Sequence, residues 1–135
     1  GSYYTAQAEP MAWTMEYLRK RQLFFVDSVT TSRSQASKYA REFGVTNLSR
    51  HVFIDNEQNE EAMRKQLDIL LRIAKKRQTA VAIAHPYPET YQFLRKHLPL
   101  LKQHGVELVG IAQLLPQNHD VVAAGFTAPA VAAPQ

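Results

Sequence analysis

The stretch from Thr79 to Thr90 reads Thr-Ala-Val-Ala-Ile-Ala-His-Pro-Tyr-Pro-Glu-Thr, and the rest of the chain is organised around it. Ala80 to Ala84 is an unbroken run of small and branched apolar residues. A short run of this kind between turn signals reads as a strand buried on both faces. It stops at His85. Pro86 and Pro88 lack the N–H that a strand ladder needs, and Pro88 suits the first position of a helix. A histidine therefore stands where a buried parallel strand gives way to a helix. In α/β folds that edge is where ligands bind and chemistry is done. The competing reading is a turn histidine bonded to nearby backbone.

The same alternation recurs along the chain. Residues 1–9 read as a loop. Met11, Met15 and Leu18 recur at helical spacing, with Trp13 and Tyr17 widening the face, and predict a helix from Pro10 or Met11 to about Arg21. Leu23 to Val26 predicts a second buried strand ending at Asp27-Ser28, with Phe24, Phe25 and later Phe53 in the core. Ser34 is placed to cap a helix running to about Phe43, which Gly44 ends. Val52 to Ile54 predicts a short strand ending at Asp55-Asn56. Asn56 or Asn59 caps a long helix to about Arg77, with Met63, Leu67, Leu70, Leu71 and Ala74 on its apolar face. After His85, Tyr91, Leu94 and Leu98 mark another helix, kinked or restarted by Pro99 and ended by Gly105. Val106 to Ile111 predicts a last strand, followed by a helical turn over Ala112 to Leu115. Residues 1–116 thus read as one α/β unit. Residues 117–135, rich in Ala and Pro, read as a disordered tail or linker.

Strands alternating with helices imply right-handed βαβ units and a parallel sheet. Asp27, Asp55 and His85 each follow a predicted strand and lie about one βα unit apart, so three polar side chains converge on one edge of the sheet. Each fits alone as a helix cap or turn former. Three in succession favour a site. Four strands are too few for a closed (β/α) barrel, which takes roughly 200 residues or more. The 135 residues read as the second half of such a barrel, or as a small open sheet.

Composition removes several alternatives. The chain has no cysteine, so disulfides and thiolate metal sites are excluded. No window is long and apolar enough to span a bilayer, and no signal peptide is evident. The formal net charge of +4 permits an anionic partner. Arg19-Lys20-Arg21 and Lys75-Lys76-Arg77, however, both close helices, where cations complement the dipole. No recognition motif or interleaved exposed aromatics accompany them, so nucleic-acid binding stands only as a third reading. His51 precedes a strand and faces the opposite end of the sheet. His97 and His104 read as surface residues, and His119 falls in the tail. None has a spacing such as His-x-x-x-His, so a complete metal site within this chain is not expected.

Three segments carry a resemblance. They are Leu23-Phe24-Phe25-Val26-Asp27-Ser28-Val29-Thr30, His51-Val52-Phe53-Ile54-Asp55-Asn56, and Ala82-Ile83-Ala84-His85-Pro86-Tyr87-Pro88-Glu89-Thr90. In this order and spacing they resemble the C-terminal half of the divergent polysaccharide deacetylases, a bacterial envelope group within the NodB-like deacetylases. The similarity runs from about Met11 to Leu115.

The resemblance implies a distorted (β/α) barrel that removes N- or O-acetyl groups from an envelope glycan with a divalent metal, zinc by preference. It implies a periplasmic or secreted setting. His85 matches the late histidine that serves as general acid in the wider superfamily. Asp27 matches the aspartate of an Asp-Ser-x-Thr motif that builds or orients the site. Ser28, Thr30, Asp55, Pro86 and Glu89 match substrate-binding or site-supporting positions. Tyr87 stands where the family often has a second histidine. The family's earlier Asp-Asp strand end and His-Leu-Pro segment are missing, so no metal is expected to be tightly bound by this chain alone. Gly1-Ser2 reads either as a cloning remnant or as the native end of the family's Asn-His-Met-Gly-Ser turn. The expectations are an incomplete and inactive portion of a deacetylase or, alternatively, a non-catalytic module of that fold binding glycan or an envelope protein. Open sheet edges are expected to meet the missing N-terminal half or a second copy.

Overall fold

The computed structural model describes residues 2–115. Helix α1 is a single turn, Ser2–Thr5, inside the stretch expected to be loop. Helix α2, Ala8–Lys20, follows, with Glu9 in its first turn and Arg19 and Lys20 in its last. Each charge complements the helix dipole at its own end. Strand β1 is Phe25–Asp27 and helix α3 is Ala36–Glu42. Strands β2, Asn47–Ser49, and β3, Val52–Phe53, come next. Helix α4 is Glu60–Arg77. The Asn59 side chain caps it, accepting the Ala62 N–H at 2.8 Å. Strand β4, Ala82–Ile83, leads into helix α5, Pro88–His97, with Pro88 in its first turn. Two 3-10 helices, Leu98–His104 and Ile111–Leu114, complete the described chain.

Among the described residues all the strand pairing is parallel. β1 pairs with β2, Phe25 opposite Asn47, and β3 pairs with β4, Val52 opposite Ala82. The extended segment from Asn47 to Ile54 changes partner in its middle. Arg50 donates its N–H to the Asp27 carbonyl at 2.9 Å, and His51 donates to the Val81 carbonyl at 2.8 Å. One segment therefore ties β1 to β4. Two cores flank it. Met11 and Met15 of α2 pack on Ala36, Ala40 and Val45, the alanines letting α3 approach closely. Met63, Leu67 and Leu71, one stripe of α4, pack on Val52, Ile54, Phe93 and Leu101.

The short parallel strands and covering helices make this an α/β fold, with several departures from expectation. β2 was not anticipated. Asn47-Leu48-Ser49 lacks the apolar run of a buried strand, and its half-buried pairing with β1 makes it one. β1 is shorter than the Leu23–Val26 run suggested. Gln22 adopts a left-handed backbone, φ 54°, and Leu23 donates its N–H back to the Leu18 carbonyl at 2.9 Å. That is the closing bond of a Schellman motif, so Leu23 belongs to the end of α2 and lies half exposed, with Phe24 also exposed. The Ala80–Ala84 run yields only two strand residues and is not buried on both faces, for Ala84 is exposed. No strand forms at Val106–Ile111. Val106 donates its N–H to Leu101, and Gly110 donates to the Gln113 side chain, so the donors at both ends of the segment turn to local acceptors rather than to a neighbouring strand. It lies instead over a gap of about 520 Å³ lined by Leu70, Ala74 and Leu101. Pro99 restarts the helix after α5 as a 3-10 helix, and Gly105, φ 71°, ends it. The predicted tail, residues 117–135, lies outside the described residues, as does His119.

His51 sits at the switch between the two pairs. Its Nδ1 accepts the Val81 N–H at 3.0 Å, which requires an unprotonated nitrogen. Burial, and then the Arg77 charge, push its pKa below the usual histidine value of 6.5. The folded chain thus binds fewer protons than the unfolded chain below about pH 6.5. Stability from this contact is complete above that pH and falls as pH drops through it. Urea titrations are expected to show a slope of at most about 1.4 kcal/mol per pH unit in this window, reduced in His51→Gln. An unchanged slope in the variant would contradict the assignment.

Candidate functional site

Asp55 is the centre of the site. It follows β3, and its side chain is wholly buried. One carboxylate oxygen, Oδ2, accepts the His85 backbone N–H and the Thr90 hydroxyl, each at 2.7 Å. The other, Oδ1, lies 3.3 Å from the His85 ring nitrogen Nδ1. One side chain therefore gathers the end of β3, the loop after β4 and the first turn of α5. Burial pushes the Asp55 carboxyl pKa up. The hydrogen bonds from Thr90 and from the His85 backbone and ring outweigh it and hold the pKa below the ordinary value. An ionised Asp55 only accepts, so the proton of a neutral His85 ring resides on Nδ1 and Nε2 is left free. The His85 side chain is 50% exposed. Phe53 and Tyr87 flank its ring at centroid distances of 5.2 and 5.0 Å.

Asp27 is the last residue of β1 and is also buried. Its carboxylate accepts the Val29 N–H at 2.9 Å and the Ser34 hydroxyl at 2.7 Å. Ser34 in turn accepts the Ala36 N–H at the start of α3. The aspartate hydrogen-bonded to His85 is thus Asp55; Asp27 instead folds its own loop. Val29 takes φ 48° there, the left-handed region that a β-branched residue rarely enters. Val29→Asn, which suits that backbone, is expected to raise stability by about 1 kcal/mol. A lowered urea midpoint would contradict it.

Arg50 ties the loop after Asp27 to strand β3. Its Nε donates to the Ser28 carbonyl and its Nη2 to the Val29 carbonyl. Its guanidinium also lies 5.9 Å from the centroid of Phe53, the ring that flanks His85. Of the other residues singled out from the sequence, Ser28 contributes its carbonyl to Arg50. Thr30 is exposed and bonds the Ser2 hydroxyl at 2.7 Å. Pro86 and Glu89 are exposed, Glu89 in the first turn of α5 where a carboxylate suits the dipole. His97, expected at the surface, packs on Phe93 with its ring 4.3 Å away and its side chain only 17% exposed.

Among the described residues no three His, Asp or Glu side chains cluster as metal ligands. Both strand-end carboxylates are already engaged by hydrogen-bond donors, and His85 offers Nε2 alone. This donor set does not fit a catalytic metal, which takes about three protein ligands.

The model of the divergent polysaccharide deacetylases matches residues 1–115. The chain belongs to that family. An uncharacterized protein of Haemophilus influenzae is 37% identical over 114 residues, covering 84% of this chain and 40% of the relative. The uncharacterized protein YibQ of Escherichia coli K12 is 35% identical over 96 residues, covering 71% of this chain and 30% of the relative. The chain therefore spans less than half the length of these curated relatives. A crystal structure of an uncharacterized Agrobacterium tumefaciens C58 protein superposes with a TM-score of 0.81 at 25% identity, covering 84% of this chain and 46% of that one.

Within this divergent polysaccharide deacetylase chain, sequence reasoning overlooked Thr90 and Arg50. Thr90 was legible as a hydroxyl in the first turn after Pro88, where Ser and Thr side chains satisfy local groups. Arg50 follows a strand that was itself missed, and nothing local marks it.

Proposed function

We infer that this chain supplies the proton-handling side of a carbohydrate deacetylase site, with His85 as general acid and Asp55 as the residue that orients it. The observation that carries this is the Asp55–His85 pair, one member buried and ionised, the other half exposed with Nε2 free. Deacetylation of an N- or O-acetyl group needs a proton delivered to the departing amine or alkoxide. A doubly protonated His85, held through Nδ1 by Asp55, gives that proton from Nε2 and takes one back after product leaves. A metal in a complete deacetylase supplies an activated water. The residues described here do not form its ligand set, so this chain's part is orientation and proton transfer. The family membership favours an envelope glycan as substrate, in a periplasmic or secreted setting.

The engagement of both Asp27 carboxylate oxygens by its own loop and the lack of a metal-ligand cluster among the described residues favour a second reading, a glycan-binding module of the same fold without turnover. Acetate release separates the two. A polypeptide of the relatives' full length that carries this chain is expected to release acetate from an N-acetylated oligosaccharide and to lose that activity in His85→Ala. Equal release by the parent and His85→Ala would contradict the role given to His85. Glycan binding with no release would establish the second reading.

A further inference from the structure

We propose that Arg50 is the ligand-selecting residue of this site and that it selects a glycan bearing a carboxylate. The inference deepens the deacetylase reading and rests on it for the location of the site. Arg50 lies where the extended segment passes from β1 to β4, and it is partly buried. Two of its nitrogens are held by the neutral carbonyls of Ser28 and Val29, which fix the plane of the guanidinium. The third, Nη1, has no hydrogen-bond partner among the described residues. No carboxylate there forms an ion pair with Arg50, although Asp27 is a neighbour in the same loop. Asp27 is committed to Val29 and Ser34, and Asp55 to His85 and Thr90.

A partly buried guanidinium is ordinarily matched by an acid. Here the protein positions the charge rigidly and leaves it uncompensated. The position bears on the site, because the guanidinium lies over one ring, Phe53, and that ring flanks His85. Arg50 and His85 thus both lie against Phe53, at 5.9 and 5.2 Å from its ring centroid, which places them no more than about 11 Å apart, within the span of an oligosaccharide. Arginine's fixed fork suits planar oxyanions, so the ligand chemistry that matches it is a carboxylate carried on the sugar. The chain's positive net charge, +4, favours the same class of ligand.

The test uses the 135-residue chain and two tetrasaccharide probes. One alternates N-acetylglucosamine with glucuronic acid; the other is the neutral N-acetylglucosamine tetramer. Titration calorimetry is expected to show the acidic probe binding at least about tenfold more tightly at low salt, with the preference shrinking as salt screens the charge. Arg50→Gln is expected to bring the two probes within about twofold, and Arg50→Lys to keep part of the preference. His85→Ala is expected to keep the preference, which separates this proposal from the proton-transfer role. Equal affinities in the parent, no binding of the acidic probe, or an undiminished preference in a folded Arg50→Gln would overturn it. Should Arg50→Gln not fold, NMR of the parent decides. The acidic probe alone is expected to shift the Arg50 Nε–H and the Phe53 ring, and no such shift would overturn the proposal.

Discussion

Asp55→Ala is expected to destabilise the fold by about 3 kcal/mol or more, the largest single effect of any substitution in the site. The reason is the number of groups left behind. Asp55 accepts from the hydroxyl of Thr90, a residue only 1% exposed, and from the His85 N–H. Alanine leaves that hydroxyl buried without a partner, at about 1–3 kcal/mol for such a group, and releases the loop that joins β4 to α5. Asp55→Asn keeps one acceptor and is expected to cost less. Thr90→Val removes only the donor and is expected to cost less than Asp55→Ala. The pH dependence has a definite sign. The folded pKa of Asp55 is depressed, so its contribution is present above the unfolded value near 3.8 and is lost as pH falls through the folded one. Urea denaturation of the three variants at neutral pH checks the order. A loss below about 1 kcal/mol in Asp55→Ala would show that the three-way contact does not hold the loop.

The second large effect concerns rate. In a deacetylating polypeptide that carries this chain, His85→Ala is expected to lower kcat by about 10²- to 10⁴-fold, the usual contribution of a positioned acid or base. Stability is expected to change little, because the His85 ring is half exposed and its backbone N–H, which Asp55 holds, survives the substitution. Asp55→Asn is expected to lower kcat as well, since an amide no longer provides the ionised acceptor for Nδ1–H. The double variant is expected to lose little more than His85→Ala alone, because the two act as one unit. Additive losses would show that Asp55 acts on the reaction apart from His85. A fall in kcat/KM carried wholly by KM would recast His85 as a binding residue.

The helices were the most legible part of this chain. Met11, Met15, Met63, Leu67 and Leu71 recur with helical period, and all five are buried. The Asn59 cap and the left-handed Gly44 and Gly105 punctuate the helices as residue chemistry requires. Strands were less legible. The apolar run at Val106–Ile111 looks like a strand, yet Val106 turns its N–H back to Leu101 and Gly110 turns its own to Gln113. Asn47-Leu48-Ser49 looks like a loop, yet β1 recruits it. Pairing depends on what lies alongside, which a local pattern does not record. In the site, His85 and Asp55 were visible because apolar runs stop at them. The partnership was not, since Asp27 has the same signature and turns to Val29 and Ser34 instead. Arg50 was invisible because its role is defined by two carbonyls about twenty residues earlier in the chain.

The most direct test of the Asp55–His85 pair is the tautomer of His85, read from its ring nitrogen shifts by ¹⁵N NMR on the 135-residue chain with the ring neutral. An ionised Asp55 beside Nδ1 predicts the proton on Nδ1 and an unprotonated Nε2, with Asp55→Asn losing that preference. A His85 ring protonated on Nε2 in the parent chain would contradict the pairing and, with it, the proton-transfer role assigned to this site.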